Sequence, residues 1–217
     1  MNDYAEARTA MVDRQVRPSD VTSFPIIEAM LAIPRERFTP ATARAVAYAD
    51  APLPQGEGRV ELEPRVFAKL LDGAQIGPDD LVLDLAPGLG YSTAVIARMS
   101  AAVIAVEADE AMATEAADTL SSLDIDNAMV RQGDPAAGDP AHGPFDAIFI
   151  NGGIGVAPDA LLDQLKDGGR LVAITMDGPH GRAEAYVRSG DKFGPRRLFD
   201  ASAPVIPGFE KAAEFAL

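Results

Sequence analysis

Short apolar runs alternate with amphipathic segments through the middle of the chain. Five runs have the length and residue types of buried strands, and the apolar residues between them recur at helical spacing. The predicted strands span 81–85, 102–107, 127–131, 145–150 and 170–175, and the predicted helices span 91–99, 110–123 and 158–165. Because strands that alternate with helices form parallel sheets, the pattern predicts an α/β fold with a doubly wound, mostly parallel sheet.

The N-terminal part of the chain follows other patterns. Residues 4–16 and 25–33 predict two short helices, and a third helix begins at Pro64 and is capped by Gly73. The stretch 40–64 is rich in Pro, Gly and Ala, which predicts an ordered loop across the face of the domain.

Near the C-terminus the pattern is weaker. Residues 183–188 and 196–199 predict a closing antiparallel hairpin. The following run, 204–209, has two interpretations: it packs against the sheet, or it is a docking segment for a partner.

The composition excludes several classes of chemistry. The chain of 217 residues has no cysteine, so it forms no disulfide and has no thiolate nucleophile. The two histidines, His142 and His180, lie in Gly/Pro-rich surroundings without metal-ligand spacing. We therefore expect no metal site and no histidine-dependent catalytic triad.

The chain is strongly acidic, with 19 Lys and Arg against 33 Asp and Glu and a net charge of −14. Such a charge repels nucleic acid and anionic membranes unless a basic patch overrides it. The small clusters Arg35/Arg37 and Arg196-Arg197 are predicted to be solvated surface charge. The sequence also lacks a secretory signal pattern and a membrane-spanning run, so we expect no nucleic-acid or membrane partner and a cytoplasmic location.

The turn after the strand at 81–85 has the composition of a nucleoside site in a Rossmann-like βαβ unit. The strand contains Asp84, and Gly88 and Gly90 follow it, where the backbone can approach a ligand. Glu107 ends the next strand, 107 − 84 = 23 residues later, and can bind both ribose hydroxyls. Asp84 before the glycines, and Thr93 where a dinucleotide site would have a third glycine, favour S-adenosylmethionine over NAD.

A third acid lies in an equivalent position. Gly133-Asp134 follows the strand at 127–131, and an acid there can accept a hydrogen bond from the exocyclic amine of adenine. The alternative is an ordinary turn aspartate beside a glycine. Open α/β sheets bind ligands at the carboxyl ends of their strands, where all three acids fall.

Several sequence blocks occur in a specific order over roughly residues 11–175. They are Met11-Val12…Gln15-Val16, Ile33-Pro-Arg-Glu-Arg-Phe38, Ala47-Tyr-Ala-Asp-Ala-Pro-Leu-Pro54 with Gly56 and Gly58, the glycine turn, Gly133-Asp134, Gly143-Pro-Phe-Asp-Ala-Ile148 and Gln164-Leu-Lys-Asp-Gly-Gly-Arg-Leu171. In these blocks the chain resembles the protein-L-isoaspartate O-methyltransferase family of S-adenosylmethionine-dependent enzymes. The N-terminal blocks are specific, because generic class I methyltransferases lack them.

The resemblance implies a seven-stranded methyltransferase sheet with an N-terminal helical cap. It implies a cap and substrate loop at 1–63 and an S-adenosylmethionine-binding domain at 64–217, forming one compact unit. The implied reaction is methyl esterification of isoaspartyl carboxylates in damaged proteins, so the substrate is a protein or peptide. The implied cofactor contacts are Asp84, Leu85, Gly88, Gly90, Tyr91, Glu107, Ala108, Gly133 and Asp134.

The substrate loop departs from the family pattern. After the loop glycine the family usually has Gln-Thr-Ile-Ser-Gln-Pro, with hydroxyls that face the methyl group and the substrate carboxylate. This chain has Arg59-Val-Glu-Leu-Glu-Pro64, so Val60 and Leu62 replace the hydroxyls and two glutamates add charge. The catalytic residues are left open, with Arg59, Val60 and Leu62 as candidates in the loop. The glycine turn also begins with Ala86 where the family usually has glycine.

With this departure, three functional interpretations of the sequence remain open. The leading one is an S-adenosylmethionine-dependent methyltransferase of the isoaspartyl-repair type. The second is a methyltransferase of the same fold with another, less anionic substrate. The third is a non-catalytic binding protein that lost the Thr/Ser substrate loop, for which 204–209 is the candidate docking segment.

Overall fold

The computed structural model describes residues 3–56 and 58–211. Its helices are α1 (Tyr4–Met11), α2 (Phe24–Ala32), α3 (Pro64–Ala74), α4 (Tyr91–Ala97), α5 (Glu110–Ser122) and α6 (Asp159–Leu162). Its strands are β1 (Leu53–Gly56), β2 (Arg59–Glu61), β3 (Leu81–Leu85), β4 (Ala102–Glu107), β5 (Ala128–Gln132), β6 (Phe145–Ile154), β7 (Leu165–Asp177), β8 (His180–Ser189) and β9 (Lys192–Asp200).

The central sheet has seven strands in the order β5-β4-β3-β6-β7-β8-β9. Within this order, the five strands β5, β4, β3, β6 and β7 are parallel to their neighbours. Strand β8 pairs antiparallel with both β7 and β9. The predicted α/β fold with a mostly parallel, seven-stranded methyltransferase sheet is confirmed, and so is the closing hairpin. The hairpin is longer than predicted. Its first strand, β8, pairs with β7 from His180 onward, and its second strand, β9, pairs with β8 from Lys192 onward.

Both faces of the sheet are covered, as the continuous apolar strands require. On β3, Val82 faces a core cluster shared with α2, α3 and α4, whereas Leu83 and Leu85 face a second cluster shared with α6. This alternation follows from the two-residue period of a strand. The two predicted site acids lie toward the carboxyl ends of β3 and β4 in this sheet.

The N-terminal segment shares the core of the first cluster. Met11 and Val16 are buried with α2 and α3. The predicted helix at 4–16 is regular only as far as Met11, and a π-helical turn at Val12–Val16 and a 3₁₀ turn at Arg17–Ser19 continue it. The predicted helix at 25–33 corresponds to α2.

The prediction that Gly73 caps α3 is wrong. Gly73 lies inside the helix, which ends at Ala74 and is followed by Gln75 in the left-handed conformation. A Cβ at Gly73 would lie 2.4 Å from a methyl group of Leu198 on β9. Glycine at 73 therefore serves the close packing of α3 against the sheet edge.

The segment 204–209 packs against the sheet, so the docking interpretation is not supported. Ile206 and Phe209 are buried in the second core cluster. The amide of Gly153 donates to the carbonyl of Pro204, and the amide of Ile206 donates back to the carbonyl of Gly153. Within the residues that the structure describes, no helix is long and apolar enough to cross a membrane.

Candidate active site

Two of the three predicted acids, Asp84 and Glu107, lie where the order of the sheet reverses. Along the chain β3 is followed by β4 on one side and later by β6 on its other side, which makes its carboxyl end a topological switch point. Asp84 on β3, Glu107 at the end of β4 and Asn151 on β6 lie at this point. Open α/β sheets bind their ligands in such a crevice.

Asp84 is buried and holds the glycine turn together. Its carboxylate accepts hydrogen bonds from the hydroxyls of Ser92 at 2.8 Å and Thr93 at 2.7 Å, and from the Asn151 amide at 2.6 Å. Burial raises the pKa of Asp84 to about 6, although the three donors favour its ionised form. Thr93, at the position that argued against a dinucleotide site, thus ties the start of α4 to β3.

Glu107 is fully buried, and both of its oxygens accept hydrogen bonds. Oε1 accepts from the amide of Asp109 at 3.2 Å, and Oε2 accepts from the amide of Gly88 at 2.8 Å. Arg59 contacts both oxygens, with Nη1 at 3.0 Å from Oε1 and Nη2 at 2.9 Å from Oε2. The side chain predicted to hold ribose is therefore bound in a bidentate ion pair to the substrate loop.

The predicted loop over the domain face contains a small β-hairpin that covers this turn. Strands β1 and β2 pair antiparallel with each other and form a separate two-stranded sheet. Gln55 on β1 lies on the glycine turn, where its Oε1 is 1.9 Å from the position that a Cβ on Gly88 would occupy. Gly88 has φ +59°, so this position requires glycine for its backbone as well as for its space.

The base of the hairpin is fixed by a buried ion pair. Nη1 of Arg35 lies 2.8 Å from Oε1 of Glu61, and the guanidinium also donates to the carbonyls of Ala47 and Leu62. The prediction that Arg35 is solvated surface charge is wrong, because its side chain is 0% exposed. The planar guanidinium can satisfy several acceptors at once, and it stacks 4.8 Å above the Tyr91 ring.

A small polar cavity lies under the hairpin. Its volume is about 10 Å³, enough for roughly one water molecule. Among the described residues, the buried hydroxyl of Tyr91 has no hydrogen-bond partner, and this residue lines the cavity. Val60, Leu62 and Ser92 line it as well, so the two positions that lack the expected hydroxyls border the same space as the residue bound to Asp84.

Comparison with known proteins assigns the chain to a family. The family model for protein-L-isoaspartate(D-aspartate) O-methyltransferase matches residues 6–195. The chain belongs to this family. A protein-L-isoaspartate O-methyltransferase of Roseiflexus castenholzii is 36% identical over 95% of this chain and 94% of its own length.

Two solved structures of the family have the same fold. One protein-L-isoaspartate O-methyltransferase has a TM-score of 0.82 at 24% identity, over 93% of this chain and 66% of its own. A second, from Plasmodium falciparum in complex with S-adenosyl-L-homocysteine, has a TM-score of 0.78 at 20% identity, over 94% and 98%. The predictions of the family, of a methyltransferase and of S-adenosylmethionine as its cofactor are confirmed by membership of this family.

The residues of this family member fit an S-adenosylmethionine site. The carboxylate of Glu107 lies at the end of β4 against the amide of Gly88, and Gly88 and Gly90 both have positive φ. Gly133 donates its amide to the carbonyl of Glu107, which brings the loop after β5 to the same edge. Asp134 is exposed and accepts from the amide of Ala136.

The other predicted contacts differ in exposure. Leu85 is buried, and its carbonyl accepts from Asn151 at 3.0 Å. The ring of Tyr91 packs against Phe67, whereas Ala108 is exposed next to Glu107. Their roles toward the cofactor stay predictions.

Sequence reasoning missed four residues that build the site. Arg35 and Gln55 position the hairpin, and Ser92 and Asn151 bind Asp84. Arg35 stands in one of the family blocks, so its position was a usable signal. The other three have side chains common in loops and turns, and their partners are brought close only by the fold.

Glu61→Gln should change how stability depends on pH between about 4.5 and 7. Burial raises the pKa of Glu61 from 4.5 to about 7, and the facing guanidinium of Arg35 offsets this only in part. Between these values the unfolded chain has lost a proton that the folded chain keeps, so the wild type loses stability as the pH rises and levels off above about 7. The variant should lack this fall.

Urea titrations of both proteins at a series of pH values measure the difference. Asp84→Asn is a matched comparison, because that carboxyl has its pKa raised from 3.8 to about 6 and should affect only the corresponding lower range. Parallel wild-type and Glu61→Gln curves would contradict the prediction.

Proposed function

We propose that this chain is an S-adenosylmethionine-dependent methyltransferase that esterifies isoaspartyl carboxylates in proteins. The observation that carries the proposal is the placement of Glu107. This carboxylate lies at the end of β4, beside a glycine turn at the switch point of the sheet, in a chain that matches the family over residues 6–195.

The chemistry agrees with a site that has no histidine or cysteine. A substrate carboxylate with a pKa near ~4 is already ionised at pH 7, so the reaction needs no general base. When bound, S-adenosylmethionine supplies an electrophilic methyl group on a sulfonium. The chain then has to orient the two reactants and exclude water, which contributes up to about 7–11 kcal/mol in well-oriented systems.

We assign the orienting roles to the turn and its neighbours. Glu107 accepts hydrogen bonds from the ribose hydroxyls. Asp84 fixes the conformation of the glycine turn through Ser92 and Thr93. The hairpin β1–β2 covers the methyl group. The complete set of proposed cofactor contacts is Asp84, Leu85, Gly88, Gly90, Tyr91, Glu107, Ala108, Gly133 and Asp134.

The proposed partner is a protein or peptide, and we propose no nucleic-acid or membrane partner. The net charge of −14 supports this because it repels polyanions. A cytoplasmic location and the division at 63/64 into cap and cofactor-binding domain are part of the same proposal.

A second candidate is a methyltransferase of the same fold with a less anionic substrate. Its support is the apolar pair Val60 and Leu62 beside the cavity, where a substrate carboxylate would find no side-chain hydroxyl from either position. In this structure Arg59 and Arg65 do not replace the lost donors, because Arg59 binds Glu107 and Arg65 faces Asp50.

Restoring the hydroxyls tests the two candidates. The variant Val60→Thr/Leu62→Ser should methylate an isoaspartyl peptide at least about 10-fold faster than the wild type, since a hydrogen bond to a charged group stabilises by about 1.5–3 kcal/mol. Methyl-ester formation on the isoaspartyl peptide measures the effect, with the corresponding aspartyl peptide as substrate control.

Val187→Thr, on an exposed position of β8, is the matched protein control and should leave the rate unchanged. Circular dichroism checks that the double variant is folded, because Leu62 is buried. If the folded variant binds S-adenosylhomocysteine and is still inactive on the isoaspartyl peptide, the second candidate replaces the first.

A further inference from the structure

We propose that Arg59 is a latch that competes with the cofactor for Glu107, so that the nucleoside binds only when the hairpin β1–β2 lifts from the glycine turn. This inference concerns the regulation of the proposed methyltransferase site and rests on that proposed function. Arg59 stands where the family usually has glutamine, so the latch is a property of this chain's substrate loop.

The first argument is that Glu107 has no acceptor position left. A carboxylate offers about four lone-pair positions. Oε1 is bound by Arg59 Nη1 and the amide of Asp109, and Oε2 by Arg59 Nη2 and the amide of Gly88. The two amides belong to the backbone next to the site, so ribose hydroxyls can bind Glu107 only where the guanidinium now lies.

The second argument is that the hairpin fills the space on the turn. Arg59 also donates to the carbonyl of Ala86 at 2.9 Å, and its side chain is only 11% exposed. Gln55 lies against Gly88 from the other strand of the hairpin. The cavity beneath holds about 10 Å³, whereas small-molecule sites usually measure roughly 300–1,000 Å³. A nucleoside therefore requires movement of the hairpin as well as release of the ion pair.

The third argument is that side-chain contacts, and not a shared sheet, attach the hairpin strands to the rest of the fold. Within the part of the chain that the structure describes, β1 and β2 pair only with each other, and a two-stranded hairpin by itself is at best marginally stable. The ion pair of Glu61 with Arg35 fixes the base of the hairpin, where β2 ends. Gln55 and Arg59 can therefore lift from the glycine turn while the base stays attached.

Arg59→Gln, which introduces the usual family residue, should tighten binding of S-adenosylhomocysteine at least about 10-fold, because close charge pairs contribute at least this factor. Isothermal titration measures the affinity, with adenosine as a second probe that carries ribose without the amino-acid end. The increase in melting temperature on adding either ligand should grow in parallel.

The matched control is Arg65→Gln, which removes the same charge from an exposed pair with Asp50 and should leave the affinity unchanged within about 2-fold. Arg59→Lys keeps the charge but not the bidentate geometry, and should give an intermediate affinity. It also serves if the glutamine variant does not fold.

The outcomes separate the latch from the function. If the wild type binds S-adenosylhomocysteine and both Arg59 variants bind it equally or more weakly, the latch is wrong and the proposed function stands. If neither the wild type nor the Arg59 variants bind at near-millimolar ligand, both proposals fail. Tighter binding by Arg59→Gln, with Arg65→Gln unchanged, supports the latch.

Discussion

Arg35→Met should lower the free energy of unfolding by about 3–5 kcal/mol, as expected when one partner of a buried ion pair is removed. The substitution leaves the carboxylate of Glu61 buried without its cation. It also leaves the carbonyls of Ala47 and Leu62 without the donors that now lie 2.8 Å away, and it removes the stacking on Tyr91. Urea denaturation followed by circular dichroism measures the loss.

Two further variants identify the cause. Arg65→Met removes a guanidinium whose side chain is 52% exposed and should cost less than about 1 kcal/mol. Arg35→Met/Glu61→Leu removes the uncompensated charge as well, so it should recover a large part of the stability. A double variant as unstable as Arg35→Met would contradict this explanation and assign the cost to the unpaired carbonyls.

The predicted parallel strands were reliable where the sequence is continuously apolar. β3 and β4 have the predicted bounds. Each has a strand on both sides and a core cluster on both faces, so its side chains are buried whichever way they point. β6 and β7 are longer than predicted, and the added residues include the glycine pairs 152–153 and 168–169. In the fold they lie in irregular pairing, and a Cβ on Gly169 would approach the carbonyl of Lys166 to 2.8 Å.

The predicted helix at 158–165 is wrong in length. α6 covers only Asp159–Leu162, and Leu165 already belongs to β7. The apolar residues at its end are buried in either conformation, so their pattern does not separate a helix end from a strand start. Pairing of Leu165 with Phe145 decides it, and that contact is not local in sequence.

The candidate site could be predicted as far as it depends on strand ends. The positions of Asp84 and Glu107 at the site could be predicted from the apolar runs that contain them and from the glycine turn, which are local signals. The contact of Arg59 with Glu107 joins residues 48 positions apart, and the contact of Arg35 with Leu62 joins residues 27 apart. Neither pairing has a local signature, so a charged residue in a polar loop is predicted to be solvated until the fold shows its partner.

The two ion pairs of the hairpin have different physical consequences. The pair of Arg35 with Glu61 is buried at the base of the hairpin and does not contact Glu107, so its loss should mainly reduce stability. The pair of Arg59 with Glu107 is on the ligand-binding turn, so its loss should be compensated when ribose hydroxyls take the place of the guanidinium. Stability and ligand affinity should therefore respond separately to the two arginines.

Glu107→Gln should weaken binding of S-adenosylhomocysteine by about 10- to 100-fold when it is introduced into the Arg59→Gln protein. The carboxylate then loses its charge, and the amide nitrogen cannot accept from a ribose hydroxyl, which costs about 1.5–3 kcal/mol. In the wild type the same substitution should weaken binding less, because it also breaks the ion pair that opposes the ligand. Isothermal titration of the four proteins forms a double-mutant cycle.

The coupling between Arg59 and Glu107 is the decisive quantity in this cycle. Competition predicts that Arg59→Gln tightens binding when Glu107 is present and has a much smaller effect, through the contact of Arg59 with Ala86 alone, when glutamine replaces Glu107. Circular dichroism controls for folding, since Glu107 is buried and also accepts from the amides of Gly88 and Asp109. Equal effects of Arg59→Gln in both backgrounds would mean that the guanidinium acts on the cofactor by a route other than this carboxylate.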